Sequence, residues 1–284
     1  MSKLWSFGTG GSAGIAVLAL LAVSSDRPIL DAPSLAVHGP IQPHRNDDGS
    51  LKRGARNEIS TSNWSGYAVA HFETGQTYLS ATATWTVPAV TYQPDASGST
   101  AEYSSTWVGI GGFCENALCT KADRSLIQLG TEQDVNSGGV TQYYAWYEML
   151  PQFPVQIPVA VNPGDNITAS LQCVSACSSK KQNWMLSMVN STTGRQWSQT
   201  FTYGSSRLSA VWIEEAPYSG GVLPLADFGT IAIDPGSVIG SLSLQTNGIQ
   251  MVDPWGQTAI PSSPGAFGFN VCWENGTANL CPAP

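Results

Sequence analysis

Charge is scarce in this chain. Asp, Glu, Lys and Arg make up only 11% of its 284 residues, against about 25% in an average soluble protein. Basic residues number 12 and form no long run, so the electrostatic footprint of a nucleic-acid binder is missing. Long apolar runs are also missing, apart from Ala13 to Val23 near the N-terminus, which is too short to span a bilayer comfortably. No stretch keeps a helical apolar spacing over three turns, and no repeat of solenoid length occurs, which argues against coiled coils and helical arrays. Histidine is limited to His38, His44 and His71. Only His71 lies in the strand-rich part of the chain, beside Phe72, so a Ser-His-Asp or Cys-His centre lacks its base. Gly-x-Ser-x-Gly, Walker-type, His-Glu-x-x-His, Asp-Thr-Gly and Asp-Ser-Gly patterns are absent as well.

What the chain does have is turn formers and aromatics: 29 Gly, 18 Pro, ten Trp, nine Tyr and eight Phe. The glycines and prolines favour many turns over long helices, and the aromatics supply a sizeable core. At the N-terminus, Lys3, the apolar run Ala13 to Val23 and small residues at Ala22-Val23-Ser24 read as a signal peptide over residues 1–24. A membrane anchor is the alternative; the short run and the lack of a following charge cluster favour cleavage. Residues 25–58 hold Pro28, Pro33, Pro40 and Pro43, several basic residues and little periodicity, as in a propeptide or flexible linker. Lys52-Arg53 is a possible processing site there. The domain is expected over residues 59–284, with the protein secreted and free of stable membrane association once the signal is cleaved.

Six of the 12 basic residues and five of the 20 acidic ones precede Ile59, so the domain is left with 6 bases against 15 acids. In strong acid the carboxylates are neutral and few positive charges remain, which limits self-repulsion. That balance suits an acidic extracellular habitat. The six cysteines form close pairs: Cys114 with Cys119, Cys173 with Cys177, Cys272 with Cys281. Three short disulfides are the simplest reading after an export signal, although six cysteines allow 15 connectivities. A zinc site is the weaker alternative, since no tight Cys-x-x-Cys occurs.

Segments rich in Val, Ile, Thr, Tyr and Trp recur between turn signals: 66–72, 78–87, 104–110, 125–129, 142–149, 167–173, 184–190, 196–203, 210–215, 228–233, 249–252 and 268–273. They predict an all-β antiparallel sandwich or barrel in one domain. Leu79 to Trp85 alternates as a half-buried strand does.

With histidine, thiol and metal chemistry weakened, carboxylates remain. Glu148 lies in Tyr144-Ala145-Trp146-Tyr147-Glu148-Met149, and Glu215 ends Ala210-Val211-Trp212-Ile213-Glu214-Glu215. A carboxyl among aromatics is partly desolvated, which raises its pKa and suits it to acid–base work in acid. The plainer reading is that Glu214 and Glu215 end an exposed strand edge. Strand alternation sets Val211, Ile213 and Glu215 on one face and Trp212 and Glu214 on the other. Gln128 sits among apolar neighbours in Ser125-Leu126-Ile127-Gln128-Leu129-Gly130; a buried amide is either structural or positioned for a site, where its NH2 could stabilise an oxyanion.

Five segments, in this order, resemble the glutamic peptidase (eqolisin) family: Ser62-Asn63-Trp64-Ser65-Gly66, Thr106-Trp107-Val108-Gly109-Ile110-Gly111-Gly112, Leu126-Ile127-Gln128-Leu129-Gly130, Ala145-Trp146-Tyr147-Glu148 and Ala210 to Glu215. The resemblance implies an antiparallel β-sandwich of two large sheets, like a lectin-type jelly roll. It implies a secreted acid endopeptidase acting on polypeptides, pepstatin-insensitive, with no metal, cofactor or covalent intermediate. The family's catalytic glutamine and glutamate fall on Gln128 and Glu215; Trp64, Trp107, Trp146 and Glu148 match positions lining or supporting its substrate cleft. Two departures stand out: a family aspartate is Gly111 here, and Glu214 replaces an apolar residue. The competing readings are a glycoside hydrolase using two carboxylates such as Glu148 and Glu215, and a carbohydrate-binding module with a Trp platform. A monomer without nucleic-acid partners is expected.

Overall fold

The computed structural model describes residues 36–236, 247–274 and 281–284. The signal-peptide reading of residues 1–24 lies outside these.

Fifteen strands and one helical turn make up the described fold. In chain order they are β1 (Ile59–Thr61), β2 (Trp64–Ala70), α1 (His71–Thr74), β3 (Ser80–Thr86), β4 (Ala101–Ile110), β5 (Ile127–Asn136), β6 (Thr141–Met149) and β7 (Val155–Gln156). There follow β8 (Asn166–Ser175), β9 (Gln182–Asn190), β10 (Arg195–Tyr203), β11 (Ser209–Glu215), β12 (Thr230–Asp234), β13 (Gly248–Val252), β14 (Thr258–Pro261) and β15 (Phe269–Glu274). One hydrogen-bonded path links them in the order β10-β9-β8-β3-β12-β15-β14-β13-β2-β11-β4-β5-β6-β7, and β1 pairs in parallel with β13. All other pairings are antiparallel.

The path folds over on itself as a sandwich. Trp212 of β11 donates its indole N–H to the Thr82 carbonyl of β3 at 2.7 Å, and Trp85 of β3 donates to Thr131 Oγ1 of β5 at 3.1 Å. Between these layers lies the main core, including Trp85, Val108, Leu129, Ala169, Trp184 and Trp212. The alternation read in the sequence of β3 is the burial pattern observed: Ala81, Ala83 and Trp85 point inward, while Thr84 and Thr86 are exposed.

A second apolar cluster covers the opposite face of the β2-β11-β4-β5-β6 layer. It contains Trp64, Trp107, Trp146, Val211 and Ile213 together with Ile41 and Ile59. The strands of this layer are therefore buried on both faces, and β2 and β11 have no exposed residue. Gly66 permits the close approach of β2 to β11: its φ is 141°, and a Cβ there would lie 2.1 Å from the Trp212 carbonyl oxygen.

Sequence and structure differ in places. Residues 71–74 form a helical turn and not the end of a strand, and His71 Nδ1 is 2.8 Å from the Gln76 carbonyl oxygen. The strand expected at 125–129 runs on to Asn136, through a polar stretch that is buried up to Val135. Glu214 and Glu215 do not end an exposed edge; both are fully buried in a strand flanked by β2 and β4. The three short-range cysteine pairs are disulfides, which leaves no thiolate for zinc. Residues 36–58 meet the domain through Pro43, which bridges Thr61, and Arg53, which bridges Ile59, while Arg45 bridges Leu51 within the segment.

Candidate active site

Antiparallel register aligns the candidate residues on one face. Glu215 of β11 pairs with Trp64 of β2 and Ser105 of β4, and Ser105 pairs with Glu132 of β5. One row along, Trp107 of β4 pairs with Gly130, which pairs with Trp146 of β6. Further along the same face, Gly109 pairs with Gln128, which pairs with Glu148. Because side chains alternate, every residue in these rows faces the second apolar cluster. Gly130 is required for this packing: a Cβ there would sit 2.5 Å from the Cβ of Trp107.

Glu215 is held by three N–H donors. Trp107 Nε1 reaches Oε2 at 2.9 Å, while Trp64 Nε1 and Asn63 Nδ2 reach Oε1 at 3.2 and 3.3 Å. The two indoles meet edge to face, with centroids 5.0 Å apart. Burial pushes the Glu215 carboxyl well above the ordinary carboxylate range, and the nearby Glu148 adds to the rise. The three donors act the other way, favouring the ionised form. Glu215 is thus costly to ionise while enclosed, and is already equipped to be an anion once water reaches it.

Gln128 is fully buried. Its Nε2 donates to Glu148 Oε2 at 3.0 Å, and its Oε1 has no hydrogen-bond partner among the described residues. Burial raises the pKa of Glu148 to about 8. Trp146 donates to Ser105 Oγ at 3.2 Å, which fixes its ring across the floor of the site. All six residues singled out from the sequence, Gln128, Glu215, Trp64, Trp107, Trp146 and Glu148, are gathered here.

Three further residues belong to the site. Asn63 binds Glu215, as described. Glu132 lies four positions beyond Gln128 on the same face of β5, a relation readable from strand period alone once the strand is known to extend that far. Burial and the neighbouring Asp134 hold its carboxyl well above the usual range. The third is His38, from the segment read as a propeptide or linker, and nothing in the local sequence marks it. Its ring stacks on Trp146 with centroids 3.7 Å apart and planes 2° from parallel. The ring nitrogens lie 3.3 Å from Glu132 and 3.4 Å from Glu215, and burial lowers the imidazole's pKa.

The two sequence departures have structural readings. Gly111 adopts φ of 92°, and a Cβ there would lie 1.7 Å from the Ser125 carbonyl oxygen, so this backbone excludes a side chain. Glu214 points to the face opposite Glu215 and accepts a 2.5 Å hydrogen bond from Thr106 Oγ1. It neither faces solvent nor joins the site.

A family model described as the Peptidase A4 family matches residues 62–261. None of the curated proteins compared matches the chain.

Proposed function

The chain belongs to the Peptidase A4 family, the glutamic peptidases, and from that premise we propose that Gln128 and Glu215 are its catalytic pair. As a glutamic endopeptidase it acts on polypeptides. In the proposed reaction, ionised Glu215 accepts a proton from a water that it holds jointly with Gln128. The resulting hydroxide adds to the scissile carbonyl carbon, and the Gln128 NH2 stabilises the tetrahedral oxyanion. The carbonyl then re-forms, the C–N bond breaks, and Glu215 passes its proton to the departing nitrogen. The products are a carboxylic acid and an amine, and no covalent enzyme intermediate forms. Trp64, Trp107 and Asn63 stabilise the carboxylate that starts the cycle. Trp146 and Glu148 shape the substrate cleft, and Glu148 also orients the Gln128 amide.

The observation that carries this reading is the pair of preformed polar arrangements on one face. One is a carboxylate with three N–H donors. The other is an amide oriented by Glu148 with its oxygen unclaimed by protein. The expected outcome is pepstatin-insensitive hydrolysis of denatured protein in acid that is lost in Glu215→Gln. A purified Glu215→Gln variant cleaving at the wild-type rate near pH 3 would exclude the assignment. Export through a signal at residues 1–24 is part of the proposal; the three disulfides suit an oxidising compartment. Among the described residues no helix is long and apolar enough to cross a membrane.

A further inference from the structure

We propose that Glu132, with Asp134 behind it, is a specificity-determining residue, and that the pocket it forms with Trp146 selects histidine as the residue on the carbonyl side of the scissile bond. The inference deepens the proposed function and rests on the reading of Gln128 and Glu215 as the catalytic pair.

The pocket is assembled by register. Glu132 of β5 lies between Ser105 of β4 and Tyr144 of β6, and Ser105 in turn pairs with Glu215 of β11. One row further from Gln128, Asp134 lies between Tyr103 and Gln142. Alternation points Glu132 and Asp134 to the same face as Gln128. Glu132 is fully buried and Asp134 nearly so. Neither oxygen of Glu132 has a hydrogen-bond partner among the described residues, and one oxygen of Asp134 lacks one as well. Enclosing two carboxyls in this way is costly, and the cost is relieved when a ligand brings donors to them.

The chain's own His38 shows what the pocket takes. Its imidazole lies flat on Trp146, with one ring nitrogen 3.3 Å from Glu132 and the other 3.4 Å from Glu215. The main chain of the same residue meets the polar groups of the site. The Gln128 NH2 donates to the His38 carbonyl oxygen at 2.7 Å, and Glu148 Oε2 accepts the His38 N–H at 2.9 Å. The side chain that enters the pocket therefore belongs to the residue whose carbonyl meets Gln128. A Cβ on the next residue, Gly39, would meet nothing within 4 Å, so selection falls on the residue before the bond and not on the one after it.

Shape and charge both favour histidine. A phenylalanine ring stacks on Trp146 but brings no N–H, which leaves the Glu132 carboxyl enclosed and unpaired. A lysine brings charge but no flat ring to stack. In acid a free imidazole is cationic, its ordinary pKa being about 6.5. A cation beside Glu215 also favours the ionised form of that carboxyl, which starts the reaction. Hydrolysis of such a chain leaves a product that ends in histidine.

The test uses the purified protein, first shown to hydrolyse denatured protein in acid, and three eight-residue peptides that differ only in carrying His, Phe or Lys at the fourth position. Mass spectrometry of the products locates the cut. Cleavage after the fourth residue is expected, with kcat/KM about tenfold or more higher for the His peptide than for the other two. In Glu132→Gln the His-to-Phe ratio should fall by about fivefold or more, and Glu132→Asp should retain more of it. A purely structural role would lower both peptides alike, so an unchanged ratio in Glu132→Gln would overturn the proposal. A wild type that cuts the Phe peptide as fast as the His peptide, or that places His elsewhere than before the bond, would overturn it too, whether or not the variant folds. If the folded wild type cleaves neither denatured protein nor any of the peptides, then it is the assignment of Gln128 and Glu215 that fails.

Discussion

Gln128 and Glu148 face each other across the ladder between β5 and β6, and the amide of the first donates to the carboxylate of the second over 3.0 Å. This bond aims the Gln128 NH2 while leaving its oxygen without a protein partner. Glu148 thus positions the amide, and it is one of the groups that raise the pKa of Glu215. Glu148→Gln should lower kcat/KM and leave the acid limb of the rate profile in place, because burial raises the Glu148 pKa to about 8 and the group is uncharged in acid. An acid limb shifted by about a pH unit in a pH–rate titration would contradict this. Gln128→Ala should lose more, roughly 100- to 1,000-fold in kcat, as expected for an oxyanion donor.

The neighbouring glutamates should behave oppositely. Glu214 is neutral in acid, since burial lifts its pKa to about 8, and it bonds to Thr106 on the far side of β11. Glu214→Gln should keep activity within a few fold and alter only the midpoint of unfolding, whereas Glu215→Gln abolishes turnover. Parallel assays and melts of the two variants check this.

Each indole donor can be removed singly. Trp107→Phe keeps the ring packing but deletes the 2.9 Å bond to Glu215. A charge-assisted hydrogen bond of this kind contributes about 1.5–3 kcal/mol, so kcat/KM should fall roughly ten- to a hundredfold. The acid limb should move up in pH, since the ionised form has lost a donor. Steady-state kinetics over pH 2–6 read both effects.

Stability should be highest in acid. Glu148 and Glu214 are raised to about 8, as is Asp134, while Glu132 and Glu215 are raised in the same direction, all by burial first. A carboxyl raised in the folded state stays protonated there while its unfolded counterpart ionises. For Glu148, Glu214 and Asp134 the contribution is complete below about pH 4 and fades as pH climbs towards about 8, and Glu132 and Glu215 lose theirs in the same direction. His38 opposes this: its pKa is lowered by burial, so its contribution is lost as pH falls below about 6.5. One histidine against five carboxyls leaves the net slope downward with rising pH. Denaturant midpoints at pH 4, 6 and 8 should fall in that order.

Removing the Cys114–Cys119 bridge should cost about 2 kcal/mol on chain-entropy grounds. It should also loosen the neighbouring hairpin, because Arg45 donates to the Cys119 carbonyl. Urea melts of the double serine variant measure the first effect, and exchange rates over residues 44–58 the second.

Much of the layer that carries the site was legible in the sequence. Alternation in 210–215 assigned Glu215 and Glu214 to opposite faces, and the apolar flanks of Gln128 marked it as buried. The second half of β5 was not legible, because Thr131, Glu132 and Gln133 are polar yet sit in a strand covered on both sides; tertiary enclosure overrides strand propensity there. β14 was missed because it is four residues long and ends on Pro261. His38 could not be found from its surroundings at all. Its position is set by main-chain bonds to Tyr218, Gln128 and Glu148, residues distant in sequence.

The alternation of β11 divides its labour. Val211, Ile213 and Glu215 face the second apolar cluster, whereas Ala210, Trp212 and Glu214 face the interior. Val211 and Ile213 are themselves fully buried, so trimming either one unsettles the backing of Glu215, while a change at Ala210 or Trp212 is felt first by the main core.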